Sequence, residues 1–301
     1  LKNNSIGTGN VALGSVALIS NTSGSYNIGI GRQALHNNTT AGFNVSLGFC
    51  SMFTTTTGGS NVGIGAYSLY SNTTGVRNIA LGNSPLYYNV IGSDNIALGS
   101  NALQQNVSGS QNTALGNGAL RYNIAGTQNI ALGTNALHKT TGDGNIAMGC
   151  VALCNNTSGN YNFAIGTEAG RFADASYSVY LGFWAGQNNQ SDGTIAIGKY
   201  ALACNTAGGS NVAVGACAAR LNTTGADNTA VGANSLQSMV NGNQNVAIGS
   251  SALYGGGDLS GNVGIGYRAL TGASGSCYNV AIGRETLRAS GFTGNSNIAI
   301  G

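Results

Sequence analysis

A five-residue phrase and its near variants return eighteen times along the chain: Asn, an aliphatic residue or Thr, a small residue, a second aliphatic residue, and Gly. The copies begin at Asn10, Asn27, Asn44, Asn61, Asn78, Asn95, Asn112, Asn129, Asn145, Asn162, Ser178, Thr194, Asn211, Asn228, Asn245, Asn262, Asn279 and Asn297. Thirteen of the seventeen intervals are 17 residues, three are 16 and one is 18. Such a period predicts one small unit stacked many times, each burying its apolar side against its neighbours. With each coil numbered from the start of its phrase, positions 2 and 4 are apolar and mostly β-branched or Leu, so positions 2 to 4 predict a short strand. Position 5 is Gly in every copy. That fits a corner with positive φ, or a backbone approach too close for a Cβ. Positions 6 to 10, with a small residue at 8 and usually Leu at 9, predict a second short strand. Positions 12 to 15, as in Asn72-Thr73-Thr74-Gly75, carry turn residues that close the coil.

The expected fold class is therefore all-β, a parallel β-roll or β-solenoid of about 17-residue coils. Coils stacked at ~4.8 Å would make eighteen of them a rod of roughly 85 Å. Residues 1–9 read as an incomplete leading coil and 10–301 as a single repeat domain. One irregular zone, 167–193, combines two 16-residue intervals with Gly170 and Gly186 in place of Leu at position 9. Phe172, Tyr180, Phe183 and Trp184 gather there, and the expectation is that aromatics refill the lost Leu volume. A bend or a change of diameter is the alternative. The chain opens without an apolar leader and stops directly after its eighteenth phrase, as a piece of a longer protein would.

Asn at position 1 recurs in sixteen of the eighteen coils. Amides repeated in register can hydrogen-bond along a stack, so Asn61, Asn78, Asn95, Asn112 and Asn129 are expected to form a structural ladder. Asn72, Asn89, Asn106 and Asn123 belong to a second, patchier series at position 12. Position 3 lies opposite positions 2 and 4, and is Ala, Gly or Ser in every coil except that of Tyr180. No charged residue occurs at positions 1 to 5 of any coil. A face that small and uncharged suggests close packing on another copy of the chain around an axis. The expected inter-chain residues are Ala80, Ala97, Ala114, Ala131, Ala147, Ala164, Ala213, Ala230 and Ala247. The alternative is an internal packing constraint within one thick single-chain solenoid.

The phrase and its Thr-x-Gly turns, repeated from Asn10 to Gly301, resemble the head repeats of trimeric autotransporter adhesins. They are similar also to repeats in phage and large-virus tail-fibre and surface-fibre proteins. The resemblance implies a homotrimer of parallel β-rolls, intertwined or side by side and left-handed as in the adhesin heads, with inner strands against the three-fold axis. It implies attachment at a surface, hence an extracellular place on a virion or cell. Adhesin heads mostly use shorter coils. Nothing in the chain matches their neck, stalk or anchor, or a fibre's C-terminal chaperone.

Composition narrows the chemistry. Charged residues make up 6% of the chain and the formal net charge is +3, too weak and scattered to indicate nucleic acid as partner. No apolar run approaches the roughly 18 residues of a membrane span. The six cysteines, Cys50, Cys150, Cys154, Cys204, Cys217 and Cys277, sit at unlike coil positions, so they are expected as free thiols in small or half-buried slots. His36 and His138 share position 10 but stand six coils apart, roughly 29 Å at the coil spacing. No catalytic set, metal site or cofactor motif can be assembled, and the Gly-x-Gly strings belong to the repeat phrase, with no helix following them. No enzyme activity, metal or cofactor is expected.

Position 10 is the most varied in the repeat. Phe53, Tyr70, Tyr87, Gln104, Arg121, His138, Arg171, Arg220, Tyr254 and Arg288 would form one exposed ribbon if the coils keep register, and Tyr and Arg are side chains that binding surfaces favour. The plainer reading is a solvated edge of drifting composition. The expected partners are the chain itself and an unidentified surface receptor, glycan or protein. The leading functional expectation is a multivalent structural or adhesive fibre segment. Its rivals are an end-to-end filament without specific ligand and a monomeric ice- or mineral-binding solenoid built on the Thr rows at positions 13 and 14.

Overall fold

The computed structural model describes all 301 residues. It is an all-β solenoid of parallel strands whose turns are about 17 residues long. Two compact units divide the chain, Leu1–Cys150 and Val151–Gly301. The first carries nine three-residue strands, β1 (Val11–Leu13) through β9 (Ile146–Met148), and the second nine more, β10 (Phe163–Ile165) through β18 (Ile298–Ile300). Each strand covers positions 2 to 4, as the apolar alternation predicts. Within a unit, like pairs with like: β5 (Ile79–Leu81) meets β6 (Ile96–Leu98) as Ile79 on Ile96, Ala80 on Ala97 and Leu81 on Leu98. A slip of one residue would turn every side chain to the wrong face, so the strict repeat fixes the register.

The interior is narrow. It holds the position-3 Ala, the position-8 small residue and the position-9 Leu, for example Ala97, Ala102 and Leu103, all fully buried. This reverses the expectation for position 3. Ala80, Ala97, Ala114, Ala131, Ala147, Ala164, Ala213, Ala230 and Ala247 are all fully buried inside their own chain, so they cannot form an interface between chains. The internal constraint weighed against that reading is the one observed, although the solenoid is thin rather than thick. Its cause is the Leu of the preceding coil. A Cβ built on Gly29 would lie 3.2 Å from Leu18 Cγ, and one on Gly264 3.1 Å from Leu253 Cγ. Behind such a Leu, a side chain larger than Ala has no room.

Position 5 meets both of its expectations. From Gly14 to Gly283 its φ lies between 120° and 145°. A Cβ on Gly99 would stand 2.6 Å from the Gly116 carbonyl oxygen of the next coil. Stacked corners leave no space for a side chain.

The second strand expected at positions 6 to 10 is absent, and a turn takes its place. Positions 7 and 9 have positive φ, with Leu at position 9 between 46° and 54° in every coil that has it. The alternation points successive N–H groups along the stack in opposite senses. Gln33 N donates back to Ser15 O at 3.0 Å, whereas Leu35 N donates forward to Ser51 O at 3.1 Å. Left-handed conformations cost an L-residue roughly 1–2 kcal/mol each. Here they persist because each buried peptide group thereby gains a partner.

Two amide ladders line the interior. Asn95 accepts from the backbone N of Asn112 (3.0 Å) through Oδ1, and donates through Nδ2 to Asn78 Oδ1 (3.1 Å) and to Gly109 O (2.9 Å). The same arrangement joins Asn61, Asn78, Asn112 and Asn129. At position 12, Asn89, Asn106 and Asn123 each donate to the Asn of the preceding coil. Both series therefore sew the coil shut and tie it to its neighbour.

In the irregular zone the ladder runs on, with Phe163 on Val179 and Val179 on Ile195 in parallel register. Tyr180, at position 3, is fully buried. Its ring takes the room of two missing leucines: a Cβ on Gly170 would lie 2.7 Å from Tyr180 Cδ2, and one on Gly186 2.1 Å from Cδ1. The hydroxyl accepts from Asn189 Nδ2 at 2.7 Å. Tyr180 alone refills the core. Phe172, Phe183 and Trp184 lie towards the surface, Phe183 and Trp184 being stacked 5.1 Å apart.

Candidate functional site

Because the small residues turn inward, the aliphatic residues turn out. Positions 2 and 4 form two parallel rows along each unit, half-buried or exposed throughout: Ile79 is 42% and Leu81 43% exposed. Neither row contains a charge. Eighteen such positions per unit form one contiguous, mostly apolar strip, the kind of surface that on a soluble chain marks an interaction site. The sequence carried this signal, but the strand alternation reads the same whichever side is taken as the interior.

The ribbon at position 10 is in register within each unit. In the first, His36, Phe53, Tyr70 and Tyr87 form a continuous stack with centroid spacings of 4.9, 5.3 and 4.8 Å. Burial, with the neighbouring Tyr70, pushes the Tyr87 hydroxyl above its ordinary pKa. The row then turns polar. Arg121 Nε donates to Gln104 Oε1 at 2.9 Å, and its guanidinium lies 5.2 Å from the centre of the Tyr122 ring. His138 meets Tyr122 edge-on, and burial, with Arg121 and Lys139 nearby, holds it below the usual imidazole pKa. In the second unit Arg171 pairs with Glu168 at 3.0 Å, and Arg220 lies over Tyr200.

Tyr254 and Arg288 flank an open cleft of about 440 Å³ together with Gly255, Gly256, Thr271 and Gly272. A contiguous hollow adds Arg268 and Ser251. The cleft lies where the position-12 amides stop. After Asn222, that position is Met239, Gly256, Ala273 and Ser290. Backbone bridges, Met239 with Gly257 and Gly256 with Ser274, replace the amide ladder there. The lapse is legible in the sequence at position 12 of the last coils, outside the irregular zone 167–193.

At position 13 the Thr hydroxyls are consumed by the stack: Thr39 Oγ1 donates to Thr56 O and Thr56 Oγ1 to Thr73 O. Further along, Val90, Val107 and Ile124 replace them and line an apolar hollow with Tyr88. All six cysteines are free. Cys50 is buried, which pushes its thiol pKa up. Cys150 is exposed, contrary to the expected half-buried slot, and the other four are half-buried. No helix is long and apolar enough to cross a membrane. Comparison of the chain with protein-family models and with curated proteins returns no match.

Proposed function

We propose that the chain is a non-enzymatic fibre segment that associates with copies of itself through the outward aliphatic rows and serves attachment at a virion or cell surface. The observation that carries this reading is the uncharged double row at positions 2 and 4, uninterrupted over nine strands in each unit. A partner for such a face has to present aliphatic side chains at the same coil-to-coil spacing, and this chain's own face does so. Around a three-fold axis the contact is heterologous, one part of the face on one chain meeting another part on the next, and the rotation closes the ring. Covering the face also removes the aggregation hazard of an exposed apolar sheet. The number of copies, three, comes from the resemblance to trimeric adhesin heads. Position 3 has no part in the contact. Three parallel chains would present each feature of the position-10 ribbon in triplicate, and multivalency of that kind raises avidity without new contacts.

The test is to place charges on the face without touching the interior. Ile79→Lys, Leu81→Lys, Ile96→Lys and Leu98→Lys together are expected to reduce the assembly to monomers while leaving the β signal in circular dichroism unchanged. An assembly of unaltered mass would remove the aliphatic rows as the interface. The threonine lattice needed by the ice-binding alternative has its position-13 hydroxyls already committed to carbonyls of the next coil.

A further inference from the structure

We infer that the cleft between Tyr254 and Arg288 binds an acidic saccharide, a sugar ring carrying a carboxylate or sulfate group. The site lies within one chain, so it does not depend on how many copies associate.

Three features point to that ligand class. First, two guanidinium groups, Arg268 and Arg288, line one hollow with the hydroxyl-bearing Tyr254 and Thr271. Guanidinium is the side chain best matched to the paired oxygens of a carboxylate or sulfate. Glu285 pairs with Arg288 through Nη1 at 3.1 Å, and the Arg288 side chain is still 46% exposed. Arg268 has its guanidinium carbon 5.0 Å from the centre of the Tyr267 ring, a stacking contact that orients the group without neutralising it. Second, the Tyr254 ring is 40% exposed. An aromatic face beside hydroxyls and guanidinium suits a ring that is apolar on its C–H face and polar at its edge. Third, Gly255, Gly256 and Gly272 line the cleft, and a Cβ at Gly256 would meet nothing within 4 Å. The missing side chains there leave room for a cleft whose volume is in the range of small-molecule sites. The Thr271 hydroxyl lies within reach of Ser251 O (2.9 Å) and Arg268 O (2.8 Å); its one proton goes to either carbonyl, which leaves the oxygen as an acceptor.

The feature is local. Elsewhere in the second unit the position-10 arginines are engaged on aromatic rings, Arg171 over Phe172 and Arg220 over Tyr200. Where the position-12 amides give way to Met239, Gly256, Ala273 and Ser290, a cleft opens beside the row.

The experiment is isothermal titration of the full chain with a heparin tetrasaccharide, a uronate disaccharide and neutral maltotetraose. At least one acidic sugar is expected to bind saturably, with affinity falling as salt rises, and the neutral one not at all. Arg268→Gln with Arg288→Gln should weaken binding at least tenfold, and Tyr254→Ala alone should weaken it severalfold. Arg32→Gln, in the first unit, should leave it unchanged. Thermal melts of each variant establish that the coil is intact. Failure of both acidic sugars to bind would overturn the inference. So would undiminished binding by the folded double variant, or binding of maltotetraose as tight as that of the acidic sugars.

Discussion

Asn95 shows how one residue type holds the stack. Its amide donates to Gly109 O and Asn78 Oδ1 and accepts from Asn112 N. Replacing it by Ala leaves the buried Asn112 N–H without its acceptor, while Gly109 O keeps Asn106 Nδ2 and Asn78 Oδ1 keeps the backbone N of residue 95. Asn95→Ala should therefore cost about 2 kcal/mol, read as a lower midpoint in chemical denaturation. A loss below the error of that measurement would mean that the ladder is ornamental. The left-handed positions make an opposite forecast. Ser84 has φ 55° and a side chain that reaches only its neighbour Asn83. Ser84→Gly should therefore stabilise by about 0.5–1 kcal/mol and the β-branched Ser84→Val destabilise by a similar amount. The reverse order in melting temperature would contradict the assigned backbone. Asn95 was legible in the sequence, because an amide repeated at one coil position has few other uses. The left-handed Leu at position 9 was not: nothing in a Leu at that spacing separates a turn at φ near 50° from the second strand expected there.

At the scale of the coil, the clearest experiment lies in β10, β11 (Val179–Leu181) and β12 (Ile195–Ile197). Tyr180 occupies the space that Leu would fill at Gly170 and Gly186. Tyr180→Ala should cost about 3–5 kcal/mol. Adding Gly170→Leu and Gly186→Leu should recover most of that loss, since both glycines already hold the φ, 58° and 57°, that Leu adopts elsewhere at position 9. In the presence of Tyr180 the same leucines should destabilise, and additive losses would contradict the exchange. The buried hydroxyl supplies a second test. Burial raises its pKa from 10.0 to about 12. The unfolded chain thus releases this proton first, and the stability gained from keeping Tyr180 neutral is complete below pH 10 and lost as pH rises towards 12. Tyr180→Phe should flatten that part of the pH–stability curve, and an unchanged slope would assign the effect to other groups. The two glycines and the aromatics marked this zone in the sequence, but only the geometry singles out Tyr180 from its three neighbours.

For the whole molecule, the decision is which side of the strand faces inward. Alternating apolar and small residues permit either answer, and position 3, small in every coil but that of Tyr180, invites the reading that two chains meet there. The width of the coil decides otherwise. With Ala, Ala and Leu filling each layer, the larger aliphatics at positions 2 and 4 have no place but the outside. The strand, its register and the Asn ladders were thus readable from the repeat, and the outward face was not. The measurement that bears most directly on the proposed assembly is the mass of the purified chain by light scattering on a size-exclusion column. Association of three copies through the aliphatic rows predicts three times 30.0 kDa. A stable monomer of 30.0 kDa, with the double row left in water, would contradict it.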